Sequence, residues 1–596
     1  MPMRYKPLRQ GRVEIRLLEL VSTKDATRLC FRLHRTRIED APRFWALSYA
    51  WGDGKDKLPI FIDNHTFFIS RSLWMILWNH IRLIEHVLEH KLDVPNYEVR
   101  YLWVDSICIN QDDLEERRQQ VLIMDRIYSK GIVGVFIDND DKAVAHTIAA
   151  LSSKYGSTQN GLGPPKRAYG AHPEENQISI SEMEWSALHN FFSKAWFKRV
   201  WVIQEFFLSK LQDSMMQIHT LSLQHLNVYL LATRVFETHP QGLTGSQKAE
   251  MFQGIKEYMS LMELKIDLQQ NLHNKRPPGI FLTLLWMFRD RLSTDPRDKI
   301  YALLGLFQSL EAEVPSSSLA SPAELDINHV IVDYGAEVEN VYASVVRAMV
   351  LGTQSLNILC ACQTPSTLKR SWIPNWAESW QRFSLLTRNV HRHLGPPGKP
   401  QNRQFYRASA SRVASATFSN DLERLTVTRI CHGRIIHLIE PPPCTQLKDA
   451  PSLHWLISAL DNLPANIQQL IADAYNQFHH SVDSDSGAFI DHIIADWANG
   501  MTGGLAYVDE SRAYNPAYYY ENMDLDWHDL ARTYIRRGKD GSDEASRDLR
   551  FYQLAHKRKL FVDETGHFGL TSDFTEVGDI AKTSIQSLGK LMFITL

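Results

Sequence analysis

Short strand-like segments alternate with helix-like segments in the N-terminal part of this chain. Residues 45–50, 101–109 and 132–137 are compact apolar runs, which is typical of strands that are covered on both faces. Apolar residues at helical spacing separate these runs, first after Ser70 and again after Asp112. Because strands that alternate with helices tend to pair in parallel, we predict an α/β N-terminal domain with a mostly parallel sheet and flanking helices.

Two local signals support this interpretation. Residues 60–69 have the pattern of a hairpin with its turn at Asp63 and Asn64. Asp112 is suited to cap the helix that follows the second apolar run, and Glu115 stands where a capping-box acid reaches back. Both signals predict where the chain changes from one element to the next.

The length of 596 residues exceeds what one hydrophobic core supports and indicates about two to four domains. We predict a first domain over residues 1–235, with an exposed insertion at about 152–178 that is rich in Gly, Pro, Asn and Gln. Residues 236–385 have a mainly helical pattern, and residues 404–596 combine helix and strand patterns. The predicted order is therefore an α/β domain, a mainly helical region and a mixed α+β C-terminal region.

The composition is that of an ordinary globular protein, with 44% hydrophobic and 22% charged residues. The formal net charge of -3 provides no global basic field, so we expect neither nucleic acid nor an anionic membrane surface as a partner. The basic pairs at 198–199 and 536–537 are interpreted as solvated surface. No segment offers the ~18 uninterrupted apolar residues of a spanning helix, and the N-terminus has no secretory pattern. We therefore expect a cytoplasmic protein without a membrane span.

The six cysteines and 24 histidines do not form a metal-binding pattern. Cys360 and Cys362 lack the two-residue gap of a redox or zinc pair, and the histidines are dispersed. We therefore expect reduced thiols and no metal site. The chain also has no glycine-rich dinucleotide motif and no phosphate-binding loop, so no cofactor is predicted.

Ser48, Tyr49, Trp51 and Gly52 form a candidate ligand-binding segment that ends at Asp53. The segment lies where a predicted strand ends, and ligands of open α/β sheets bind beyond the carboxyl ends of the strands. A hydroxyl, an aromatic face and a glycine that permits close backbone approach are suited to a nucleotide. The alternative is a turn in which Trp51 packs as a lid over the core.

Asp105 lies within the apolar run 101–109 and is predicted to be buried in a strand. An ionised carboxylate in such a place needs a partner, and Arg117, Arg126 or the amides after Asn110 are the candidates. Asp105 is therefore either a structural pin or part of a ligand-binding site.

Asn110 and Gln111 follow the same run and are suited to satisfy backbone groups at a strand-to-helix turn. Glu116 and Gln120 are one helical turn apart, so they share a face of the next helix. This face either points toward the Ser48 segment or is a solvated surface. Asn110, Gln111 and Glu116 are retained as ligand-binding candidates.

Glu205 is the candidate catalytic residue. It lies in a predicted amphipathic helix in which Trp196, Val200, Ile203 and Phe207 have the spacing of a buried stripe. Its position at the edge of the stripe predicts partial burial, which raises the pKa of a carboxyl group. The alternative is an exposed or salt-bridged glutamate.

Three segments of the chain together resemble the HET domain, the heterokaryon-incompatibility module of filamentous fungi. They are Phe44–Asp53, Tyr101–Gln111 and Trp196–Glu205, in that order. The resemblance covers roughly residues 5–210, and the downstream segment Thr294–Leu306 resembles the companion region of such proteins. The chain is thus identified as a HET-domain protein.

The HET domain in turn resembles TIR domains, some of which cleave NAD. The comparison implies a TIR-like, flavodoxin-like fold in which Leu47–Tyr49 is the first strand and Trp201–Glu205 is the helix of the catalytic glutamate. It also implies an NAD glycohydrolase-like activity with NAD as the substrate. Cleavage of the nicotinamide–ribose bond passes through an oxocarbenium-like state, which one carboxylate stabilises.

The resemblance implies an effector of fungal non-self recognition, innate immunity and programmed cell death, with other proteins of the incompatibility system as partners. The alternative is a non-enzymatic signalling adaptor that acts by self-association of the HET domain. An ordinary metabolic enzyme is disfavoured because the sequence has no cofactor motif.

Overall fold

The computed structural model describes two compact units of the chain. The first comprises Met1–Lys166, His172–Ala320 and Val332–Val338, and the second comprises Arg167–Ala171, Ser321–Ile331 and Glu339–Leu596. The residues described are 5–9, 13–21, 28–52, 55–90, 99–138, 141–156, 179–209, 215–236, 238, 240–271, 280–312, 325, 329–354, 356–362, 366–378, 416–427, 429–440, 462–470, 558–565, 568–572 and 576–584.

In the described part of the first unit, nine strands form one mixed sheet. They are β1 Glu14–Leu20, β2 Cys30–Arg37, β3 Phe44–Tyr49, β4 Lys57–Ile62, β5 His65–Ser70, β6 Tyr101–Trp103, β7 Ile132–Ile137, β8 Met215–Ile218 and β9 Leu221–Gln224. Their order across the sheet is β5-β4-β2-β1-β6-β3-β7-β8-β9. Antiparallel hairpins, β4 with β5 and β8 with β9, form its two edges.

The centre of the sheet is parallel. β3 pairs in parallel with β6 on one side and β7 on the other, and β7 pairs in parallel with β8. Taken in chain order, these four strands lie in the spatial order 2-1-3-4, as the first four strands of flavodoxin-like sheets do. The prediction of an α/β domain is confirmed, although β1 is antiparallel to both its neighbours and the whole sheet is therefore mixed.

Helices flank the sheet and extend the first unit. They are α1 Arg71–Glu89, α2 Asp105–Cys108, α3 Leu114–Val121, α4 Met124–Lys130, α5 Lys142–Gly156, α6 Glu182–Phe192, α7 Val202–Phe207, α8 His225–Phe236, α9 Gly245–Asn271, α10 Ile280–Met287 and α11 Asp298–Ala312. The domain boundary predicted at residue 235 stays a prediction, although α9, α10 and α11 belong to the same compact unit as the sheet. The insertion predicted at 152–178 begins within α5, and its residues 157–178 lie outside the described residues.

The local signals are borne out in part. The hairpin over residues 60–69 is confirmed, and Asp63 and Asn64 have φ values of 49° and 63°, a left-handed conformation that these residue types tolerate in tight turns. The predicted cap is one residue too early, because Asp113 accepts hydrogen bonds from the amides of Glu115 and Glu116.

The prediction of one strand over residues 101–109 is wrong. β6 ends at Trp103, and α2 begins at Asp105. Ile107 and Cys108 are fully buried in this short helix. Burial on every side, rather than an extended backbone, therefore explains the apolar run, and a run of this kind does not distinguish the two conformations.

The described residues of the second unit contain a long helix and two small sheets. The elements are α12 Val338–Thr353, β10 Ala416–Phe418, β11 Leu425–Val427, β12 Arg429–Ile439, β13 Arg558–Asp563, β14 Phe568–Ser572 and β15 Ile580–Ser584. β10 pairs with β11, and the other strands form an antiparallel sheet in the order β14-β13-β12-β15. Within the portion of the chain that the structure describes, no helix combines the length and the apolar character needed to cross a membrane.

Candidate functional site

The carboxyl end of β3 places Ser48 and Tyr49 at the centre of the candidate site. β3 lies between β6 and β7, and all its residues are buried. A buried hydroxyl needs hydrogen-bond partners, because removing an unpaired hydroxyl from water is unfavourable. The partners of the Ser48 hydroxyl come from the segment that follows α6.

Ser48 joins Trp196 and Glu205 in one hydrogen-bonded chain. Trp196 Nε1 donates to Ser48 Oγ at 2.9 Å, and Ser48 Oγ donates to Glu205 Oε2 at 2.5 Å. Ser48 is 0% exposed, and Trp196 and Glu205 are each 1% exposed. The structure thus brings two candidate residues into direct contact, and Glu205 is fully buried rather than at the edge of an apolar stripe.

Burial raises the pKa of Glu205 to about 7, because the ionised carboxylate has lost its hydration. The guanidinium of Arg199 opposes this shift, the carboxyl group of Asp105 adds to it, and the hydrogen bond from Ser48 opposes it. The prediction of a raised pKa is confirmed. A carboxyl group with a pKa near neutrality gains and loses its proton readily at physiological pH, which suits acid–base chemistry.

Asp105 is buried at the first position of α2 and is held by Trp51. Trp51 Nε1 donates to Asp105 Oδ2 at 2.8 Å, and the amide of Ser106 donates to Asp105 Oδ1 at 2.7 Å. Burial raises the pKa of Asp105, whereas Arg199 and these hydrogen bonds oppose the shift. The hydroxyl groups of Tyr49 and Ser106 are 2.6 Å apart, so the first and second segments are joined twice.

The partners predicted for Asp105 are wrong. Arg117 lies 3.9 Å from the carboxylate of Asp298, and Arg126 forms an ion pair with Glu39. The amide that binds Asp105 belongs to the next residue in the chain. Asp105 reaches both observed partners, Trp51 and the Ser106 amide, because the chain turns from β6 into α2 at this point. The apolar pattern of residues 101–109 does not predict this turn.

Arg199 is a site residue that the sequence did not indicate, and the hydrogen bonds of Ser106 and Trp196 in the site were likewise not predicted. Arg199 is half-buried, so the prediction that the basic pair 198–199 is solvated surface is wrong for this residue. The other basic pair, 536–537, lies outside the described residues. Arg199 Nη1 donates to the carbonyl oxygen of Tyr49, and its guanidinium carbon lies 5.9 Å from the Trp51 ring centroid. Its place within the third segment is the signal that could have identified it, because no local apolar spacing shows that its side chain turns inward.

Glu116, Asn110 and Gln111 stabilise the turn after α2. Glu116 accepts two hydrogen bonds from Arg16, at 2.6 and 2.9 Å, and both side chains are buried. The amide of Asn110 donates to Glu116 Oε1 at 2.7 Å, and Gln111 Nε2 donates to the carbonyl oxygen of Asp105 at 3.0 Å. Glu116 therefore faces β1, and neither predicted orientation of its helix face is observed.

Trp51 and Gly52 form the exposed rim of the site. Trp51 is 41% exposed although its ring nitrogen is hydrogen-bonded, so one edge of the indole is fixed while part of the ring faces solvent. Gly52 has a φ of 76°, a backbone conformation that residues other than glycine rarely adopt. Such a rim offers an aromatic surface on which a planar group can stack. Asp53 lies outside the described residues.

The described residues hold no cluster of metal ligands, and one of their thiols is deeply buried. Within them, no group of three or more His, Cys, Asp and Glu side chains is placed to hold a metal ion. Cys30, Cys108 and Cys362, in the same part of the chain, form no disulfide bond. Burial raises the pKa of Cys108 to about 12, so this thiol is unreactive at neutral pH.

Comparison with known proteins identifies the same part of the chain, in which the first segment contacts both the second and the third. Residues 44–205 match the family model of the heterokaryon incompatibility protein (HET), and this match confirms the resemblance of the three segments to that family. It is similar to heterokaryon incompatibility protein 6, OR allele, of Neurospora crassa, with 24% identity over 308 residues. This similarity covers 46% of the chain and 44% of that protein, hence less than half of either. No solved structure matches the chain.

Proposed function

We propose that this protein acts in heterokaryon incompatibility as an effector of non-self recognition and cell death. Its HET domain, with a TIR-like fold, cleaves NAD or a related nucleotide in the cytoplasm. The name of the Neurospora crassa relative supports the biological role. The observation that carries the chemical role is the buried Glu205 carboxyl, hydrogen-bonded to Ser48 at the carboxyl end of β3.

The proposed reaction uses the carboxylate form of Glu205. The bond between ribose C1′ and the nicotinamide nitrogen breaks, and its electron pair leaves with neutral nicotinamide. The carboxylate stabilises the resulting oxocarbenium-like state, and water adds to C1′ and releases one proton. A raised pKa keeps this proton exchange accessible near neutral pH.

The other site residues have supporting roles in this proposal. The Trp51 ring stacks on a base or on the nicotinamide, since part of it faces solvent. Arg199 offers a guanidinium beside the same ring for a phosphate group. Because Glu205 is 1% exposed, contact with a substrate requires an opening of the closed arrangement around Ser48.

A direct test measures NAD and growth in cells that express the full chain under an inducible promoter. Wild type is compared with Glu205→Gln, which keeps the side-chain shape, and with Glu182→Gln, which alters an exposed glutamate. At equal protein level, we expect NAD loss and growth arrest in the wild type and the Glu182 variant, and neither in the Glu205 variant. Absence of both effects in the wild type would contradict an effector role for the chain alone.

A second candidate function is a non-enzymatic adaptor that acts by self-association. The burial of Ser48, Trp196 and Glu205 favours it, because a closed hydrogen-bonded chain of this kind also serves to hold a fold. The same experiment separates the two functions. Growth arrest that persists in Glu205→Gln with NAD unchanged in every sample would support the adaptor and reject NAD cleavage.

A further inference from the structure

Both ends of segment 198–209, which carries Arg199 and Glu205, are held by buried basic side chains from beyond residue 244. These two side chains are Lys265 and Arg291, each of which is 1% exposed. Neither lies within residues 44–205, the part that matches the HET family model. The candidate site therefore depends on helices outside the recognised module.

Lys265, on α9, binds the carboxyl end of α7. Its Nζ donates to the carbonyl oxygens of Phe206 and Ser209, at 2.5 Å each, and to Ser209 Oγ at 2.8 Å. The last carbonyl groups of a helix lack partners within the helix, and a basic group there is favourable. Among the described residues, no carboxylate forms an ion pair with Lys265. Its contacts are thus directed to the turn that follows Glu205.

Arg291, which follows α10, binds the other end of the segment. Its Nη1 donates to the carbonyl oxygen of Arg199 at 3.1 Å, and its Nη2 donates to the carbonyl oxygen of Glu257 at 2.8 Å. The Glu257 carboxylate lies 3.2 Å from Arg291 Nε, so the guanidinium is anchored on α9. The next residue, Leu292, accepts a hydrogen bond from the amide of Val200 at 2.9 Å.

We propose that Lys265 and Arg291 are positioning residues for the candidate site. They hold the two ends of segment 198–209 and thereby fix Arg199 against the carbonyl oxygen of Tyr49 and the carboxyl of Glu205 against the Ser48 hydroxyl. Neither touches the hydroxyl or carboxyl groups that would react. The relevance of this positioning to catalysis rests on the proposed function, whereas the positioning itself is measurable without any activity.

Hydrogen–deuterium exchange of the purified full-length protein tests the Lys265 contact. Lys265→Met removes the donor, and Lys256→Met changes an exposed lysine of the same helix. We expect amide exchange in 203–209 to become about tenfold faster in the Lys265 variant only, because three buried acceptors lose their partner. Exchange in β4, which three strands separate from β3, should not change.

The Arg291 contact is tested in the same way with a conservative variant. Arg291→Lys keeps the charge but cannot bridge two carbonyl groups as the guanidinium does. We expect faster exchange of the Val200 amide in this variant and not in Arg234→Lys, which alters an exposed arginine. A milder companion to the Lys265 change is Ser209→Ala, which removes one acceptor and should act in the same direction to a smaller extent.

An infrared measurement reports on the carboxyl group itself. The band of protonated Glu205 is identified by its loss in Glu205→Gln, and its frequency depends on the hydrogen bond from Ser48. We expect this band to shift in Lys265→Met and in Arg291→Lys, and to stay in place in both control variants. An unchanged band, or exchange that rises equally in β4 and in 198–209, would overturn the proposal, since the two residues would then support only global stability.

Discussion

Replacement of Glu205 by glutamine is expected to stabilise the protein at about pH 8 and to leave its stability nearly unchanged at about pH 4. Burial raises the pKa of Glu205 from 4.5 to about 7. The folded state therefore keeps a proton that the unfolded state has already released between these two values. The stability that Glu205 contributes in its protonated form is fully present below pH 4.5 and is lost as the pH rises through about 7.

The magnitude follows from the difference between 4.5 and 7, at about 1.4 kcal/mol per pKa unit. Above pH 7 the wild type thus carries an unfavourable free energy of about 3 kcal/mol that the glutamine variant lacks. The Glu205→Gln protein should accordingly unfold at a temperature roughly 5 °C higher than wild type at about pH 8. Glutamine remains able to accept the hydrogen bond of Ser48, so the local geometry is preserved.

Differential scanning calorimetry of the full-length protein at several pH values measures this effect. The quantity of interest is the difference in unfolding midpoint temperature between variant and wild type, because the contributions of all other titrating groups cancel in this difference. Glu182→Gln, at an exposed position, should show no pH-dependent difference. A Glu205 variant that is less stable than wild type at about pH 8, or a difference that does not vary with pH, would refute the argument that Glu205 is desolvated.

Three further substitutions test other contacts by thermal unfolding. Ser48→Ala should destabilise the protein by about 1–3 kcal/mol, because it leaves a buried indole N–H and a buried carboxyl without a partner. Arg16→Met should destabilise it by about 3–5 kcal/mol by leaving Glu116 buried and unpaired, and the added change Glu116→Leu should recover much of this loss. Gly254→Ala should destabilise it by about 1–3 kcal/mol, because the new Cβ would lie 1.9 Å from the backbone oxygen of Phe192 in the α6–α9 contact.

Matched variants distinguish these effects from general sensitivity. Ser153→Ala lies on an exposed helix position, and Arg32→Met breaks an ion pair whose arginine is exposed, so both should change stability little. Gly245→Ala places a Cβ where no atom lies within 4 Å and should be neutral or slightly stabilising. Equal losses in a test variant and its matched control would contradict the specific contact assigned to it.

Much of the α/β architecture follows from local patterns. The apolar runs at 45–50 and 132–137 became β3 and β7, and the turn residues Asp63 and Asn64 formed the hairpin between β4 and β5. Such features depend on residue type and spacing over a few positions, so a sequence reveals them. The run at 101–109 shows the limit, because burial on all sides is compatible with either a strand or a helix.

The candidate site was predictable where its residues share one short segment and not where distant residues meet. A helix that carries Glu205 is observed as α7, but the predicted apolar stripe is wrong, because α7 begins at Val202 and Trp196 lies in a separate short helix. The raised pKa of Glu205 follows from its burial. The pairing of Glu116 with Arg16 spans 100 residues, and periodicity contains no information about such a contact. The inward turn of Arg199 depends likewise on the packing of α9 and on the chain after α10, which no local pattern specifies.

The contact between Leu292 and Val200 has a consequence for how this gene can be recombined. A chimera joined shortly after residue 205 would keep every residue that matches the family model. It would nevertheless lose the parallel β-bridge between Arg199 and Leu292 and the hydrogen bonds from Lys265 to the end of α7. A crossover after Val338, the last residue of the first compact unit, would transfer the sheet and its supporting helices together. Exchange of this domain between related genes is therefore expected to preserve the arrangement around Ser48 only with the longer fragment.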